Sequence, residues 1–199
     1  MSELNVTTAA KHNLVLASAS PRRIELLRQI GVEPQVCPAD IDETQGNETA
    51  QDYTCRLALA KAATGAAQFS DKITILGADT TVVLDGETFG KPADVNAAEK
   101  MLLRLSGRTH QVFTAIALIQ GNREMVQLSA TSVRFRDISV NEIRRYWHTG
   151  EPAGKAGSYA IQGLGAIFVE HITGSYSGVM GLPLFETAAM LKRFGVFEL

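Results

Sequence analysis

Residues 14–27 read Leu14-Val-Leu-Ala-Ser-Ala-Ser-Pro-Arg-Arg-Ile-Glu-Leu-Leu27. An apolar run typical of a strand leads into a turn with two serines, and Pro21 then begins a predicted helix. Serine is a preferred N-cap, and proline is tolerated at the first helical position because that N–H lacks a helical partner. Free N–H groups beside the guanidinium groups of Arg22 and Arg23 predict a phosphate-binding site. A capped helix with two solvated arginines is the alternative.

The length and composition are those of an ordinary globular protein, with 199 residues, 45% hydrophobic and 20% charged. We expect one domain over residues 14–199, after a flexible N-terminal extension over the small and polar residues 1–13. A net charge of −2 does not suit a broad nucleic-acid-binding face, and no run approaches the roughly 18 apolar residues of a membrane span. We therefore expect neither nucleic acid nor a membrane as partner. Cys37 and Cys55 are not closely spaced, which favours free thiols in the cytoplasm.

Helical and strand periods alternate along the chain, which predicts an α/β protein. The predicted helices cover residues 21–30, 48–69, 95–105, 137–148 and 184–194. The predicted strands cover residues 14–17, 34–37, 73–84, 110–119, 125–135 and 166–171, the third of them kinked or interrupted at Gly77. Asp85-Gly86 predicts a tight hairpin turn, and Asp94 a helix N-cap. Residues 150–165 are rich in glycine and predict a loop that a ligand approaches closely.

Separate segments of the chain supply charged residues suited to a nucleoside triphosphate. The cations are Arg22, Arg23, Lys61 and Lys91, and the acids are Asp40, Asp42, Glu43 and Asp79. Several cations are needed to bind a triphosphate in water, whereas carboxylates repel it unless a divalent metal bridges them to the phosphate oxygens. If these groups converge on one cleft, they predict metal-assisted phosphate chemistry. The sequence alone does not show that they converge.

Asp79 is the most informative acid, because a carboxylate inside an apolar strand is costly to bury without a partner. It follows Gly77 and Ala78, two small residues that let a ligand approach closely. A structural aspartate satisfied by backbone N–H groups is the alternative. Lys91 could equally be a solvated residue at the end of a hairpin, and residues 40–43 a solvated acidic loop.

The sequence lacks the motifs of zinc sites, of glycine-rich nucleotide-binding loops and of serine hydrolases. The four histidines are scattered without a zinc-ligand spacing, and no Gly-x-x-x-x-Gly-Lys-Ser/Thr or Gly-x-Gly-x-x-Gly loop is present. None of the serines lies in a Gly-x-Ser-x-Gly elbow. Tyr146 and Trp147 lie on a predicted helix, where we expect them in the core rather than in a base-stacking platform.

Taken together, the segments from Leu14 to about Gly195 resemble the Maf family of nucleoside triphosphate pyrophosphatases. The matching segments are Ser18-Ala-Ser-Pro-Arg-Arg23, Ile41-Asp-Glu43, Arg56-Leu-Ala58 with Lys61, Gly77-Ala-Asp-Thr80, Gly90-Lys-Pro92, Leu105-Ser-Gly107, His110-Gln-Val-Phe-Thr114, Lys155-Ala-Gly-Ser-Tyr-Ala-Ile-Gln-Gly163 and Gly181-Leu-Pro183. One small departure is Ala19, where many members carry glycine.

The resemblance implies an inosine-triphosphatase-like (Maf-like) α/β fold, an elongated mixed sheet with flanking helices and a cleft between two lobes. It also implies a cytoplasmic homodimer. Members of the family cleave between the α and β phosphates with a divalent metal cation, Mg²⁺ or Mn²⁺. They release a nucleoside monophosphate and pyrophosphate and so remove unwanted nucleotides from the pool.

Residue by residue, Asp79 matches the position of the family's proton acceptor. Four residues match phosphate-binding positions, namely Ser18, Arg23, Lys61 and Lys91. Glu43 matches a further active-site position, which we interpret as a second catalytic residue that shares a metal with Asp79. Which of these two carboxylates is the general base stays open.

Arg22, Thr80 and Gln162 match the positions linked to base preference, and this combination resembles the branch that acts on dTTP and UTP. Modified pyrimidine nucleotides are further candidate substrates. A carboxamide such as that of Gln162 can accept from N3–H and donate to O4 of uracil or thymine, whereas cytosine reverses both groups. The alternatives are a 7-methyl-GTP pyrophosphatase, whose branch usually has glutamate in place of Gln162, and a nucleotide-binding regulator of cell division or septum formation.

Overall fold

The structure, a computed structural model, describes residues 13–198. The predicted extension over residues 1–13 lies outside the described residues except for Asn13. The helices are α1 (Pro21–Gln29), α2 (Ala50–Ala66), α3 (Val95–Leu105), α4 (Val140–His148), α5 (Tyr176–Met180) and α6 (Leu184–Arg193), with 3-10 segments at Ala156–Ser158 and Leu164–Phe168. The strands are β1 (Leu14–Leu16), β2 (Gln35–Val36), β3 (Thr74–Leu84), β4 (Glu87–Phe89), β5 (Thr109–Gln120), β6 (Arg123–Phe135) and β7 (Val169–Thr173).

The described strands form one mixed sheet with the order β2-β1-β3-β5-β6-β7, and β4 pairs with part of β3. β1 runs parallel to β2 and to β3, and the remaining pairs are antiparallel. The predicted α/β class, with a mixed sheet and flanking helices, is confirmed.

Local sequence signals define several element boundaries, and two of them agree with the prediction. Asp85 and Gly86 have φ values of 54° and 81°, which is the left-handed pair that a tight hairpin turn requires. The Asp94 side chain accepts a hydrogen bond of 2.8 Å from the N–H of Ala97 and caps α3. A capping box at Ser139 begins α4 three residues later than the predicted boundary at 137.

β3 runs through Gly77 without a break and with continuous pairing to β5, so the predicted interruption there is wrong. A Cβ at this position would collide with the backbone of Ala58 and Ala62 in α2. Gly77 therefore serves close helix–strand packing rather than close approach of a ligand. This packing brings Lys61, which lies between the two alanines in α2, down onto the face of β3 that carries Asp79.

The chain between α4 and α6 differs most from the prediction. The strand predicted at 166–171 begins at Val169, because residues 166–168 belong to the second 3-10 segment. Helix α5 was not predicted, since five residues are too few for a helical hydrophobic period to be detected.

The apolar core divides into two main clusters, on either side of the middle of β3. The first packs α1 and α6 against the sheet and includes Ala78, and the second packs α3 and α4 against it and includes Val82. Residues 79–81 lie between the two clusters. Tyr146 is buried in the second cluster as predicted, whereas Trp147 is half-buried.

Two further observations concern the described chain as a whole. Cys37 and Cys55 are free thiols, as predicted. Within residues 13–198, no helix combines the length and the apolar character that crossing a membrane requires.

Candidate active site

The middle of β3 lacks a strand partner on one side. On one side of β3, β1 pairs with residues 74–76 and β4 with residues 82–84. Between these two partners, residues 77–81 pair only with β5 among the described strands. This unpaired edge opens into a cleft of about 500 Å³.

All nine side chains that the family resemblance assigns to catalysis, phosphate binding and base preference line this cleft. They are Ser18, Arg22, Arg23, Glu43, Lys61, Asp79, Thr80, Lys91 and Gln162. Asp40 and Asp42, the other two acids among the charged residues predicted to suit a triphosphate, are exposed and lie outside the cleft. The Asp42 carboxylate instead accepts a hydrogen bond of 2.8 Å from the N–H of Thr44 and stabilises a turn.

Lys61 joins the two carboxylates at the centre of the cleft. Its Nζ lies 2.7 Å from Asp79 Oδ1 and 2.6 Å from Glu43 Oε1. The Lys61 and Asp79 side chains are only 11% and 12% exposed, so the ammonium group supplies the partner that a carboxylate in a buried strand needs. The alternative that backbone N–H groups satisfy Asp79 is therefore wrong for Oδ1. The hydrogen bond from Lys61 lowers the pKa of Glu43 despite partial burial of that carboxyl group.

The segment that carries Glu43 is tied to α2. Tyr53 Oη donates a hydrogen bond of 2.8 Å to the Glu43 carbonyl, and Arg56 donates to the carbonyl of Thr44. No motif in the sequence marks Tyr53 as a site residue. Its signal was the helical spacing, because a residue eight positions before Lys61 lies on the same helix face.

Arg23 is held in place by three contacts from its guanidinium group. Nη1 donates to Ser18 Oγ at 2.9 Å, Nε to the Gly181 carbonyl at 2.8 Å, and Nη2 to Thr80 Oγ1 at 3.3 Å. Burial lowers the pKa of Arg23, and the charge of Asp79 opposes that shift. The guanidinium group is thus preorganised at the cleft with further N–H groups available to an anion.

The start of α1 has the geometry predicted from Pro21, although the cap itself differs. Ser20 occupies the N-cap position with extended backbone, but its side chain makes no capping hydrogen bond. The Ser18 hydroxyl accepts from the N–H of Ser20 at 3.3 Å instead. The first turn of α1 is therefore not closed by a side chain at the point where it faces the cleft.

The three residues at the base-preference positions differ in how they are held. Arg22 Nε donates to the Met180 carbonyl at 3.0 Å, and Thr80 Oγ1 lies 3.1 Å from Thr114 Oγ1. Gln162 is exposed at the cleft, and its carboxamide has no hydrogen bond to any residue of the described chain. Its donor and acceptor are thus free to contact a ligand.

Basic side chains outnumber acidic ones along the cleft. Within the described chain, the basic lining consists of Arg22, Arg23, Lys61, Lys91 and Lys155, against Glu43 and Asp79. Burial, with a further contribution from the charge of Arg22, lowers the pKa of Lys155. Lys155 is the first residue of one segment that matches the family, and that position is its only signal in the sequence. The excess of positive charge suits a polyanionic ligand.

Glu43 and Asp79 could also hold a divalent metal. Their carboxylate oxygens are hard ligands of the kind that Mg²⁺ and Mn²⁺ prefer, and they already share one cation, the Lys61 ammonium group. Among residues 13–198, no group of three or more His, Cys, Asp or Glu could hold a metal. A cation here would therefore complete its shell with water and ligand phosphate oxygens, as Mg²⁺ commonly does.

A cleft with an excess of basic side chains and a close pair of carboxylates suits a protein that processes phosphorylated ligands. The sequence profile of the family described as "Maf-like protein" matches residues 13–194. The chain belongs to the Maf family.

Proteins named dTTP/UTP pyrophosphatase are among its relatives. One from Methylococcus capsulatus is 50% identical over 184 residues, which cover 92% of this chain and 91% of the relative. One from Hahella chejuensis is 49% identical over 189 residues, covering 94% of each. Among solved structures, a HAM1 protein from Coxiella burnetii aligns with a TM-score of 0.43 at 17% identity, covering 61% of this chain and 72% of that one.

Proposed function

We propose that the protein is a nucleoside triphosphate pyrophosphatase that hydrolyses dTTP and UTP to the nucleoside monophosphate and pyrophosphate. The observation that carries the proposal is the lining of one cleft by all nine residues that match the family's catalytic, phosphate-binding and base-preference positions. The names of relatives about half identical to this chain support the choice of pyrimidine substrates.

The basic residues of the cleft bind the triphosphate in this proposal. Arg23 is fixed by its contacts to Ser18 and Gly181 and offers its remaining N–H groups to phosphate oxygens. Lys91 is exposed at the cleft and forms no ion pair within the described residues, so its ammonium group is available to the substrate. Charge-assisted hydrogen bonds of this type contribute about 1.5–3 kcal/mol each.

Asp79 acts on the attacking water in the proposed reaction. Its Oδ1 accepts the hydrogen bond from Lys61, and its Oδ2 accepts none from the described residues and is available to a water molecule. The water oxygen forms a bond to the α-phosphorus while its proton passes to Asp79. The bond from the α-phosphorus to the bridging oxygen breaks, and its electron pair leaves with pyrophosphate. Lys61 keeps the carboxylate in position as the charge develops.

A divalent cation, Mg²⁺ or Mn²⁺, is part of the proposal, and Glu43 and Asp79 would hold it. When bound, it would supply Lewis-acid polarisation of the phosphate and reduce the repulsion between substrate and carboxylates. Both carboxylates contact the same Lys61 ammonium group, and their closeness to each other supports this assignment.

Release of pyrophosphate from a panel of nucleotides tests the proposed function. With Mg²⁺ or Mn²⁺, we expect turnover of dTTP and UTP well above that of CTP, ATP and 7-methyl-GTP, and loss of turnover when EDTA removes the metal. Preferred turnover of 7-methyl-GTP would indicate the other branch of the family. Saturable nucleotide binding without turnover would indicate a regulator rather than an enzyme.

Replacing Gln162 with glutamate tests the base assignment. The carboxylate can accept from N3–H but has no N–H for O4, so two acceptors would face each other. We expect the ratio of kcat/KM for UTP over CTP to fall by about tenfold or more, with the melting temperature unchanged because Gln162 is exposed. An unchanged ratio would mean that Gln162 does not contact the base.

We also infer a cytoplasmic homodimer. The family resemblance and the two free thiols support this inference. Light scattering coupled to size-exclusion chromatography measures the mass directly, and a monomer at micromolar concentration would contradict the dimer.

A further inference from the structure

Glu151 holds the segment that carries Gln162, although Glu151 itself lies outside the cleft lining. Its Oε1 accepts hydrogen bonds from Tyr146 Oη at 2.6 Å and from the N–H of Gly165 at 2.9 Å. Its Oε2 accepts from the N–H of Leu164 at 2.8 Å. One carboxylate thus binds the backbone two and three residues after Gln162.

Tyr146 binds the same segment on the other side of Gln162. Its Oη accepts a hydrogen bond of 3.1 Å from the N–H of Ala160 while it donates to Glu151. The hydroxyl is therefore fully used, and the side chain is buried in the second core cluster. Tyr146 in α4 and Glu151 in the loop that follows it thus hold the backbone on both sides of Gln162.

Two glycines, Gly163 and Gly165, leave space for the side chains of Tyr146 and Glu151. A Cβ at Gly163 would collide with the Glu151 carboxylate, and a Cβ at Gly165 would lie 2.6 Å from Tyr146 Oη. Neither glycine has the positive φ that would by itself favour glycine. Their absence of a side chain therefore serves the close approach of the segment to Tyr146 and Glu151.

Glu151 accepts its hydrogen bonds as an ionised carboxylate. Burial alone would raise the pKa of Glu151, but the hydrogen bonds from Tyr146 and from two backbone N–H groups outweigh it and lower the pKa. Burial and, to a smaller extent, the hydrogen bond to Glu151 raise the pKa of Tyr146. Its side chain therefore stays a protonated hydroxyl. Hydrogen bonds to an ionised carboxylate are stronger than neutral ones.

We propose that Tyr146 and Glu151 are positioning residues for base recognition, acting through the backbone on both sides of Gln162. The inference rests on the proposed function, in which the Gln162 carboxamide makes two hydrogen bonds of opposite sense to the base. Such a pairing discriminates only if the carboxamide is held in one orientation relative to the phosphate-binding cations.

The preceding part of the segment is anchored independently. Tyr159 Oη lies 2.8 Å from His110 Nε2 in β5, and both side chains are buried. Loss of the Glu151 contacts should therefore loosen residues 160–165 without releasing the whole segment. Within the described residues, the hydrogen bonds of the two side chains go to residues 160–165 and to each other, not to β3 or α2, so the reaction centre should keep its geometry.

Three variants test the inference. Glu151→Gln places an N–H₂ group among three donors, Tyr146→Phe removes the shared hydroxyl, and Gly163→Ala displaces the carboxylate without changing its charge. We expect each to lower the ratio of kcat/KM for UTP over CTP by about tenfold, mainly through a higher KM for UTP rather than a lower kcat. Glu170→Gln, which alters an exposed ion pair with Arg134 away from the cleft, is the matched control and should leave the ratio unchanged.

The double variant Glu151→Gln with Gln162→Glu separates positioning from general damage. If Glu151 acts through Gln162, the ratio of the double variant should equal that of Gln162→Glu alone. Equal losses on UTP and CTP in all three single variants would make the pair merely structural and overturn the inference. A wild-type enzyme without base preference would instead contradict the proposed function. Wild-type preference that Gln162→Glu abolishes and Glu151→Gln retains would overturn the inference alone.

Discussion

Asp79→Asn should reduce turnover of UTP by about two to four orders of magnitude, the range lost with a general base. Asparagine keeps the size of the side chain and can still accept the hydrogen bond that Lys61 donates to Oδ1 at 2.7 Å. It loses the negative charge and the basicity that the attacking water requires. Nucleotide binding should be retained, because one negative charge fewer then faces the triphosphate. Single-turnover kinetics measures the rate, and titration with a non-hydrolysable UTP analogue measures the affinity.

Two further variants complete that test. Asp71→Asn changes an exposed aspartate outside the cleft and should behave as wild type. Glu43→Gln tests the second carboxylate, which shares Lys61 but is 45% exposed. An Asp79→Asn variant that kept more than about a tenth of the rate would lie outside the range for general-base loss. Asp79 would then be structural, and Glu43 the better candidate for the base.

The longer elements of the fold were predictable because each carries its own signal. α2 and α3 have helical spacing and caps, and the β5–β6 hairpin has two long alternating strands. α5 has only five residues, and the 3-10 segment before β7 has no distinct hydrophobic period, so periodicity could not define either.

The sequence predicts which residues form the site but not which of them contact one another. Motif matches identified Lys61, Asp79 and Glu43, yet their shared contact arises from the packing of α2 on β3, which depends on Gly77. Nothing local to residues 40–43 indicates which acid faces the cleft. The family resemblance singles out Glu43, and the tertiary structure supplies the physical reason, because Tyr53 holds the Glu43 carbonyl while the Asp42 carboxylate accepts from the N–H of Thr44.

The same tertiary contact makes Lys61→Met a severe variant. Removing the ammonium group leaves Asp79 buried and unpaired, with the Glu43 carboxylate close to it. Loss of one partner from a buried ion pair costs about 3 kcal/mol or more, and loss of the proposed phosphate contact of Lys61 should lower kcat/KM by more than about tenfold. Thermal and urea unfolding measure the first effect, and pyrophosphate release the second. Lys100→Met, an exposed lysine on α3, is the control.

The pH dependence of that stability loss identifies its electrostatic origin. The hydrogen bond from Lys61 lowers the pKa of Glu43 below the ordinary value of about 4.5, so its contribution to stability is fully present above that value. It disappears as the pH falls through the lowered pKa, because the carboxyl group is then protonated in both states. The difference in unfolding free energy between wild type and Lys61→Met should therefore be largest near neutral pH and narrow below about pH 4.5. A difference that stayed constant down to pH 3 would mean that Lys61 stabilises the fold by packing its methylene groups rather than by its charge.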